Sequence, residues 1–195
     1  FSSFTEPGFR LLWLAMLFRG ATLGMEQIAR GFLVYEITGS AKILGLVSAA
    51  AVVPTLCLAL FSGVIADRLD RKLLIQVSQT ISTTSSLFVA ISITTGTLTW
   101  LHLLFAGMVS GGAATFMVPA RQAMVPQLVP KERIGNAIAL LFMGMSITSL
   151  VAPATGGFLY AVFGPEMVFY VIVALGACAV LLTGMIPRIA KQSKR

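Results

Sequence analysis

Three ionisable side chains recur on one face of the first long apolar stretch of this sequence. Arg19, Glu26 and Arg30 are seven and four residues apart, so on an α-helix they fall within roughly 40° of one another. Ionisable side chains in an apolar span are costly, and by default they mark a pathway or a paired site. Glu26 precedes Arg30 by four residues, which is the favourable order for a helical ion pair. The spacing therefore predicts either a site that handles a ligand or protons, or a purely structural ion pair.

The charge balance of this stripe defines the chemistry that it could support. Two guanidinium groups against one carboxylate leave a net positive stripe. It could receive an anionic substrate group, or it could pair with a carboxylate from another part of the protein. Glu26 is the only acid deep in any apolar span, and hence the only local candidate for proton exchange. Nearby arginines favour its ionised form and desolvation favours its protonated form, so the sequence leaves both open.

Six apolar runs position these residues, and their lengths indicate a membrane protein. The chain has 195 residues, of which 57% are hydrophobic and 11% charged, whereas a soluble domain is about one quarter charged. A helix needs roughly 20 mostly apolar residues to cross a bilayer. The runs that satisfy this length are Leu11–Tyr35, Ile43–Ile65, Leu73–Thr94, Trp100–Val118, Ile134–Tyr160 and Met167–Ile186. The sequence therefore predicts an all-α protein embedded in the lipid bilayer.

The distribution of basic residues predicts the orientation of these spans. With the N-terminus on the cytoplasmic side, eleven lysines and arginines in the loops and termini fall on that side, against Lys42 alone on the other. Cytoplasmic loops of membrane proteins carry such an excess. We therefore predict that both termini are cytoplasmic. The net charge of +7 is explained by topology and does not indicate a nucleic-acid partner.

Even spacing of the six runs suggests two groups of three helices, divided near residues 96–99. Transporters are often built from inverted three-helix repeats. Pro54 in the second run and Pro153 in the fifth then occupy comparable positions within their helices. The predicted fold class is thus six transmembrane helices in two inverted three-helix repeats.

Two further patterns predict local structure. Polar side chains recur at helical spacing on one face of the third run, where we expect hydrogen bonds between helices in preference to a polar pathway; they are Gln76, Gln79, Thr80, Thr83 and Ser86. The stretch 119–132 contains Pro119, Pro126 and Pro130. Because proline removes a helix hydrogen bond, we expect these residues to interrupt any helix there and to form a long connection.

The loop between the second and third runs carries the most specific motif in the chain. Five charges in the six residues 67–72 require an aqueous turn. Gly63, Asp67, Arg68, Arg71 and Lys72 follow a spacing that resembles the corresponding loop of the major facilitator superfamily, with Asp70 in place of that pattern's second glycine. The resemblance implies that this loop is a cytoplasmic gate, which latches the two halves of a transporter together. An ordinary basic loop would explain the charges but not the spacing of Gly63 and Asp67.

A second element lies in the fifth run. Pro153, Gly156 and Gly157 resemble a proline–glycine element of superfamily exporters, in which it is associated with antiport. A packing kink would account for the same residues equally well, because proline bends a helix and glycines let a neighbouring helix approach closely.

Three further stretches, 29–40, 119–123 and 128–133, resemble the branch of the superfamily that contains enterobactin-exporter-like and macrolide-efflux-like antiporters. The resemblance covers essentially the whole chain. It implies that residues 1–187 form the N-terminal six-helix bundle of a twelve-helix transporter, and that residues 188–195 begin its central cytoplasmic linker. The C-terminal six-helix half would then be a missing partner, and the protein would lie in the bacterial inner membrane.

The resulting hypothesis is secondary active transport, most specifically proton-coupled efflux of a small amphipathic or anionic compound of the drug or siderophore type. The fourth run has Gly107 where many proton-coupled members of the superfamily carry an arginine, so coupling through that arginine is not available. The sequence contains no catalytic constellation, metal-ligand spacing or phosphate-binding loop, and we expect no enzyme activity, cofactor or metal. The alternatives are an importer of the same fold and a noncatalytic six-span membrane subunit.

Overall fold

The computed structural model of the protein describes residues 2–187, including every side chain in that range except those of residues 2, 64 and 66–68. The predicted linker, 188–195, lies outside the described residues. Five α-helices and two short 3₁₀ helices make up the described chain, which contains no strand. The α-helices are α1 (Pro7–Thr38), α2 (Ala41–Arg68), α3 (Arg71–Thr94), α4 (Trp100–Leu128) and α5 (Ile134–Met185), and the 3₁₀ helices are Ser2–Thr5 and Lys131–Arg133.

Helix length and surface composition agree with a membrane protein. Four helical stretches in the described chain are long and apolar enough to cross a bilayer: Ala41–Gly63, Arg71–Thr94, Trp100–Leu128 and Lys131–Met185. Helix α1 has 32 residues, which is long enough to span, but its apolar sequence is interrupted by the three ionisable side chains. Large apolar side chains are exposed on the outside of the bundle, including Leu60 at 84% and Leu150 at 79%. Surfaces of this kind require a lipid environment or a protein partner.

Helix α5 is broken at Gly164. This residue has φ 82° and ψ 174°, which no helix contains, and Pro165 follows it. The segment 134–163 contacts α1 in parallel register, because Gly144 meets Leu17 and Gly156 meets Met25. The segment 165–185 runs antiparallel to α3. There Tyr170 bonds Thr94 and Thr183 bonds Gln79. The chain therefore reverses direction at the glycine.

The expectation that prolines interrupt the chain after Val118 was wrong. Helix α4 continues to Leu128 through both Pro119 and Pro126. Neighbouring groups in a membrane bundle can bond to the backbone that a proline weakens. Near this point Arg71 Nη1 donates to the carbonyl oxygen of Ala123 at 2.5 Å, which ties the start of α3 to this part of α4. Only Pro130 lies outside the helix, in the short connection to α5.

The interior consists of two apolar clusters with a polar layer between them. The cluster nearer the N-terminus includes Phe9, Leu12 and Ile75, and the other includes Leu33, Val89 and Phe169. The buried polar residues at intermediate levels of the helices include Arg19, Glu26, Ser82, Ser110 and Thr183. Arg19 and Glu26 of α1 thus lie inside the bundle and not on its outer surface.

Candidate functional site

A cavity of about 450 Å³ lies between α1, α2 and α4, and the only charged residues in its lining are Glu26 and Arg30. The volume is within the usual range for a small-molecule site. Arg30 Nη2 donates to Glu26 Oε1, so the predicted four-residue ion pair forms. Glu26 is buried, with 5% of its side chain exposed, and Arg30 is 16% exposed. Apolar residues form most of the remaining wall, including Leu23, Val34, Leu44 and Val47.

Glycines on α4 set how closely its neighbours approach at the wall of this cavity. A Cβ atom at Gly111 would lie 2.2 Å from the carbonyl oxygen of Ala51, so only glycine allows α2 and α4 to approach this closely. Thr55 Oγ1 donates to the Gly111 carbonyl at 3.1 Å across the same contact. One turn earlier on α4, Gly107 lies beside the Arg30 guanidinium.

Arg19, the third member of the predicted stripe, does not line the cavity. Its Nη2 donates to Ser82 Oγ on α3 at 3.1 Å, and its Nη1 donates to Thr22 Oγ1 at 3.3 Å. The structure therefore brings Glu26 and Arg30 together in one site, whereas Arg19 faces a polar interface between α1 and α3.

The expectation of hydrogen bonds between helices on the polar face of α3 holds in part. Gln79 bonds another helix, whereas the hydroxyls of three other predicted residues donate to carbonyls of α3 itself, namely Thr80, Thr83 and Ser86. Thr183 Oγ1 donates to Gln79 Oε1 at 2.9 Å, and Ser85 Oγ donates to the Ala106 carbonyl at 3.2 Å. The cavity residue that sequence reasoning missed is Ser110, which is 6% exposed and whose hydroxyl has no partner among the described residues. A lone serine in an apolar run gives little signal, because its position becomes informative only when α4 is packed against α1.

The predicted gate loop is divided between two helices: Gly63, Asp67 and Arg68 lie in the last turns of α2, and Arg71 and Lys72 begin α3. Asp70 has φ −64° and its carboxylate accepts from Lys72 N and Leu73 N, so no glycine is needed at this position and the departure from the motif has a structural role as a helix cap. A Cβ at Gly63 would meet no atom within 4 Å, so any close helix approach there involves a segment outside the described chain. The side chains of Asp67 and Arg68 lie outside the described residues.

Lys72 binds the end of α5. Its Nζ donates to the carbonyl oxygens of Gly184 at 2.7 Å and Ile186 at 2.5 Å. Cations at a helix C-terminus stabilise it, because the last carbonyls have no helical partner.

Replacing Lys72 with methionine is therefore expected to lower the apparent melting temperature of the detergent-purified protein. Hydrogen bonds from a charged group contribute about 1.5–3 kcal/mol, and the loss of each kcal/mol lowers the melting temperature by about 2–4 °C in a chain of this size. The exposed Lys42, at the start of α2, supplies the matched control Lys42→Met, which should melt like the parent protein. Equal melting of the two variants would contradict the capping role of Lys72.

The proline–glycine element of the fifth run packs against α1. A Cβ at Gly156 would lie 2.9 Å from Met25 Cα, and a Cβ at Gly24 would lie 3.0 Å from Pro153 Cδ. Gly157 is less restricted, because its nearest contact would be Ile28 Cγ2 at 3.8 Å. The element therefore fixes the position of α1 immediately beside Glu26.

Comparison with known proteins identifies the family of the chain. Residues 1–194 match the family model described as transmembrane secretion effector. The chain is 29% identical over 188 residues to macrolide efflux protein A of Streptococcus pyogenes, which covers 96% of this chain and 46% of that protein. It is 28% identical over 187 residues to a multi-drug resistance efflux pump of Streptococcus pneumoniae, with coverage of 91% and 44%. It is also 26% identical over 160 residues to the enterobactin exporter of Shigella boydii, with coverage of 82% and 38%.

The chain spans less than half the length of these curated relatives. The family and the relatives are transporters and not enzymes, and the membrane-length helices together with the bacterial relatives indicate a multi-pass bacterial membrane protein. This chain belongs to the transmembrane secretion effectors of the major facilitator superfamily.

Proposed function

We propose that this chain is the N-terminal six-helix half of a bacterial efflux transporter that exports a small amphipathic or anionic compound by proton-coupled alternating access. The observation that carries the proposal is the cavity between α1, α2 and α4, in which one buried ion pair is surrounded by apolar walls. Such walls suit the apolar body of a small molecule, and the few polar groups would orient it. The relatives named for macrolide, multidrug and enterobactin export support efflux as the direction.

Glu26 is the proposed proton carrier. It is buried in the cavity and held by Arg30, and intramembrane carboxyl groups commonly relay protons in transporters. Protonation would release Arg30 from the pair, and deprotonation would restore it. From α2 and α4 the cavity lining brings no titratable side chain, so Glu26 is the proton-exchanging group of the site.

The remaining parts of the transporter follow from the same proposal. The bundle would comprise residues 1–187, in two inverted three-helix repeats, with both termini in the cytoplasm of the cell and the linker beginning at residue 188. A second six-helix half would complete the pathway across the bilayer. The loop residues Gly63, Asp67, Arg68, Arg71 and Lys72 would form the cytoplasmic gate with that half, and Pro153, Gly156 and Gly157 would provide the antiporter-type helix packing.

Transport assays in oriented vesicles test this function. Inside-out vesicles that contain the full-length protein are loaded with an acidic lumen, and the accumulation of radiolabelled erythromycin and of enterobactin is measured. We expect at least one of these probes to accumulate and to be released when a protonophore is added. Accumulation that survives the protonophore would contradict proton coupling, whereas loading of right-side-out vesicles by an external acid pulse would indicate an importer.

Replacing Asp67 with asparagine is expected to impair transport without reducing membrane insertion. The change removes the charge that a latch requires but preserves the size of the side chain. Transport in the same vesicles and the amount of inserted protein are both measured. Asp70→Asn is the matched control, because asparagine also caps helices and should retain transport. Normal efflux by the Asp67 variant would rule out a latch that depends on this carboxylate.

A further inference from the structure

Gly107 leaves a gap on α4 that the end of the Arg30 side chain occupies. A Cβ atom at residue 107 would lie 2.9 Å from Arg30 Nη1, whereas Ala51 Cβ and Arg30 Cζ would each be 3.6 Å away. Non-bonded heavy atoms are at their best separation at about 3.5–4.0 Å, so a methyl group at this position would overlap only with the guanidinium. Among the described neighbours, the Arg30 guanidinium is thus the group that a methyl at residue 107 would displace.

The opposite edge of the same guanidinium binds Glu26. Arg30 Nη2 donates to Glu26 Oε1, and Arg30 Nε has no partner among the described residues. The guanidinium is therefore held by the carboxylate of α1, and its other end occupies the space that a Cβ at residue 107 of α4 would need. Because this space depends on the absence of a side chain, α4 controls how Arg30 reaches Glu26.

We propose that Gly107 is a positioning residue that sets the strength of the Glu26–Arg30 pair and, through it, the pH range in which the transporter exchanges its proton. This inference rests on the proposed role of Glu26 as proton carrier. A glycine on a neighbouring helix thereby tunes the coupling site.

The groups that face Glu26 are few, so an effect of Gly107 on it can be isolated. The charged ones are Arg30 and, at longer range, Arg19. The elements that pack around this level otherwise present apolar, glycine or serine residues: Val47, Ser48 and Ala51 from α2, Ser110 and Gly111 from α4, Ser82 from α3, and Ala152 and Gly156 from α5. A change in the Arg30 position is therefore the main route by which residue 107 can alter proton exchange.

The test is the pH dependence of transport by the full-length protein carrying Gly107→Ala. A methyl group that pushes the guanidinium away weakens the attraction that favours the ionised carboxyl group. The pH of half-maximal transport of the erythromycin or enterobactin probe is therefore expected to be higher than in the parent protein. Expression and melting should stay normal, because the overlapped atom is the far end of a flexible side chain. The control Gly45→Ala, on an open face of α2 with no atom within 4 Å of the added methyl, should give no shift.

A double-mutant cycle separates this role from a general packing effect. In an Arg30→Lys background the compact ammonium group does not fill the gap, so adding Gly107→Ala is expected to cause no further shift. An equal shift in both backgrounds, or no shift with Arg30 present, would overturn the inference.

Glu26→Gln in the same assay tests the underlying function separately. If it abolishes gradient-driven transport while Gly107→Ala leaves the pH profile unchanged, the inference fails and the proposed function stands. If Glu26→Gln retains gradient-driven transport, both the proposed role of Glu26 and the inference fail.

Discussion

Replacing Glu26 with glutamine is expected to reduce pH-gradient-driven accumulation to the level of vesicles without the protein. The amide has nearly the shape of the carboxyl group, and its oxygen can still accept from Arg30, but it cannot take up a proton. The bundle should therefore fold, bind substrate and change conformation. Exchange of labelled against unlabelled substrate, measured without any gradient, is expected to continue. This combination of lost coupling and retained exchange distinguishes a proton carrier from a residue that is needed only for folding.

Glu36 provides the matched control on the same helix. It lies at the exposed end of α1, where its carboxylate accepts a hydrogen bond from the Tyr160 hydroxyl at 2.5 Å. Glu36→Gln removes an equal charge and retains an acceptor for that hydroxyl, so gradient-driven transport should be unchanged. If both variants lose accumulation, charge on α1 matters in general and Glu26 has no special role. If neither variant loses it, Glu26 is a structural partner of Arg30 and another group carries the proton.

The ion pair could be predicted from the sequence because it lies within one helix. A four-residue spacing places Glu26 and Arg30 on adjacent turns of α1 whatever surrounds them, and the pair forms as predicted. Apolar length is also a local property of the chain, so the four membrane-length stretches were equally accessible, while α1 falls short of them because charges interrupt its apolar sequence. On the polar face of α3, spacing indicated the bond that Gln79 forms with another helix but not the bonds within α3 that Thr80, Thr83 and Ser86 form.

The partners of Arg19 and the gap at Gly107 could not be predicted in this way. The spacing of Arg19, Glu26 and Arg30 shows that they share one face of α1. It does not show which neighbouring helix packs against each of them. In the structure, α3 covers Arg19 and α4 covers Arg30, so one stripe divides between two environments. The hydrogen bond from Arg71 to the Ala123 carbonyl of α4 was equally inaccessible, because the two residues are 52 apart in sequence and adjacent only after folding.

Replacing Gly111 with alanine is expected to be the most destabilising single-methyl change near the cavity. The new Cβ would lie 2.2 Å from the Ala51 carbonyl oxygen and 3.2 Å from its carbon. Both are backbone atoms of α2, so no side-chain rotation can relieve the clash and the two helices must separate. Overpacking commonly costs about 1–3 kcal/mol, and a backbone clash belongs at the upper end. At about 2–4 °C per kcal/mol, the apparent melting temperature should fall by roughly 6–12 °C in a thermal scan of the detergent-purified protein.

Two other glycines make this prediction specific to the contact between α2 and α4. Gly157→Ala adds the same methyl group to a membrane helix, but the new atom would lie 3.8 Å from Ile28 Cγ2, which is ordinary contact, so melting should not change. Gly107→Ala meets only the mobile end of Arg30, so it should shift the pH profile of transport and leave melting close to that of the parent. If Gly111→Ala melted like Gly157→Ala, the close helix contact would be wrong, and with it the cavity wall that α2 and α4 form. If all three variants were equally unstable, the loss of stability would not depend on the space around each glycine, and the backbone clash at residue 111 would not be its cause. The order of the three melting temperatures therefore distinguishes a backbone clash from a side-chain clash and from open space.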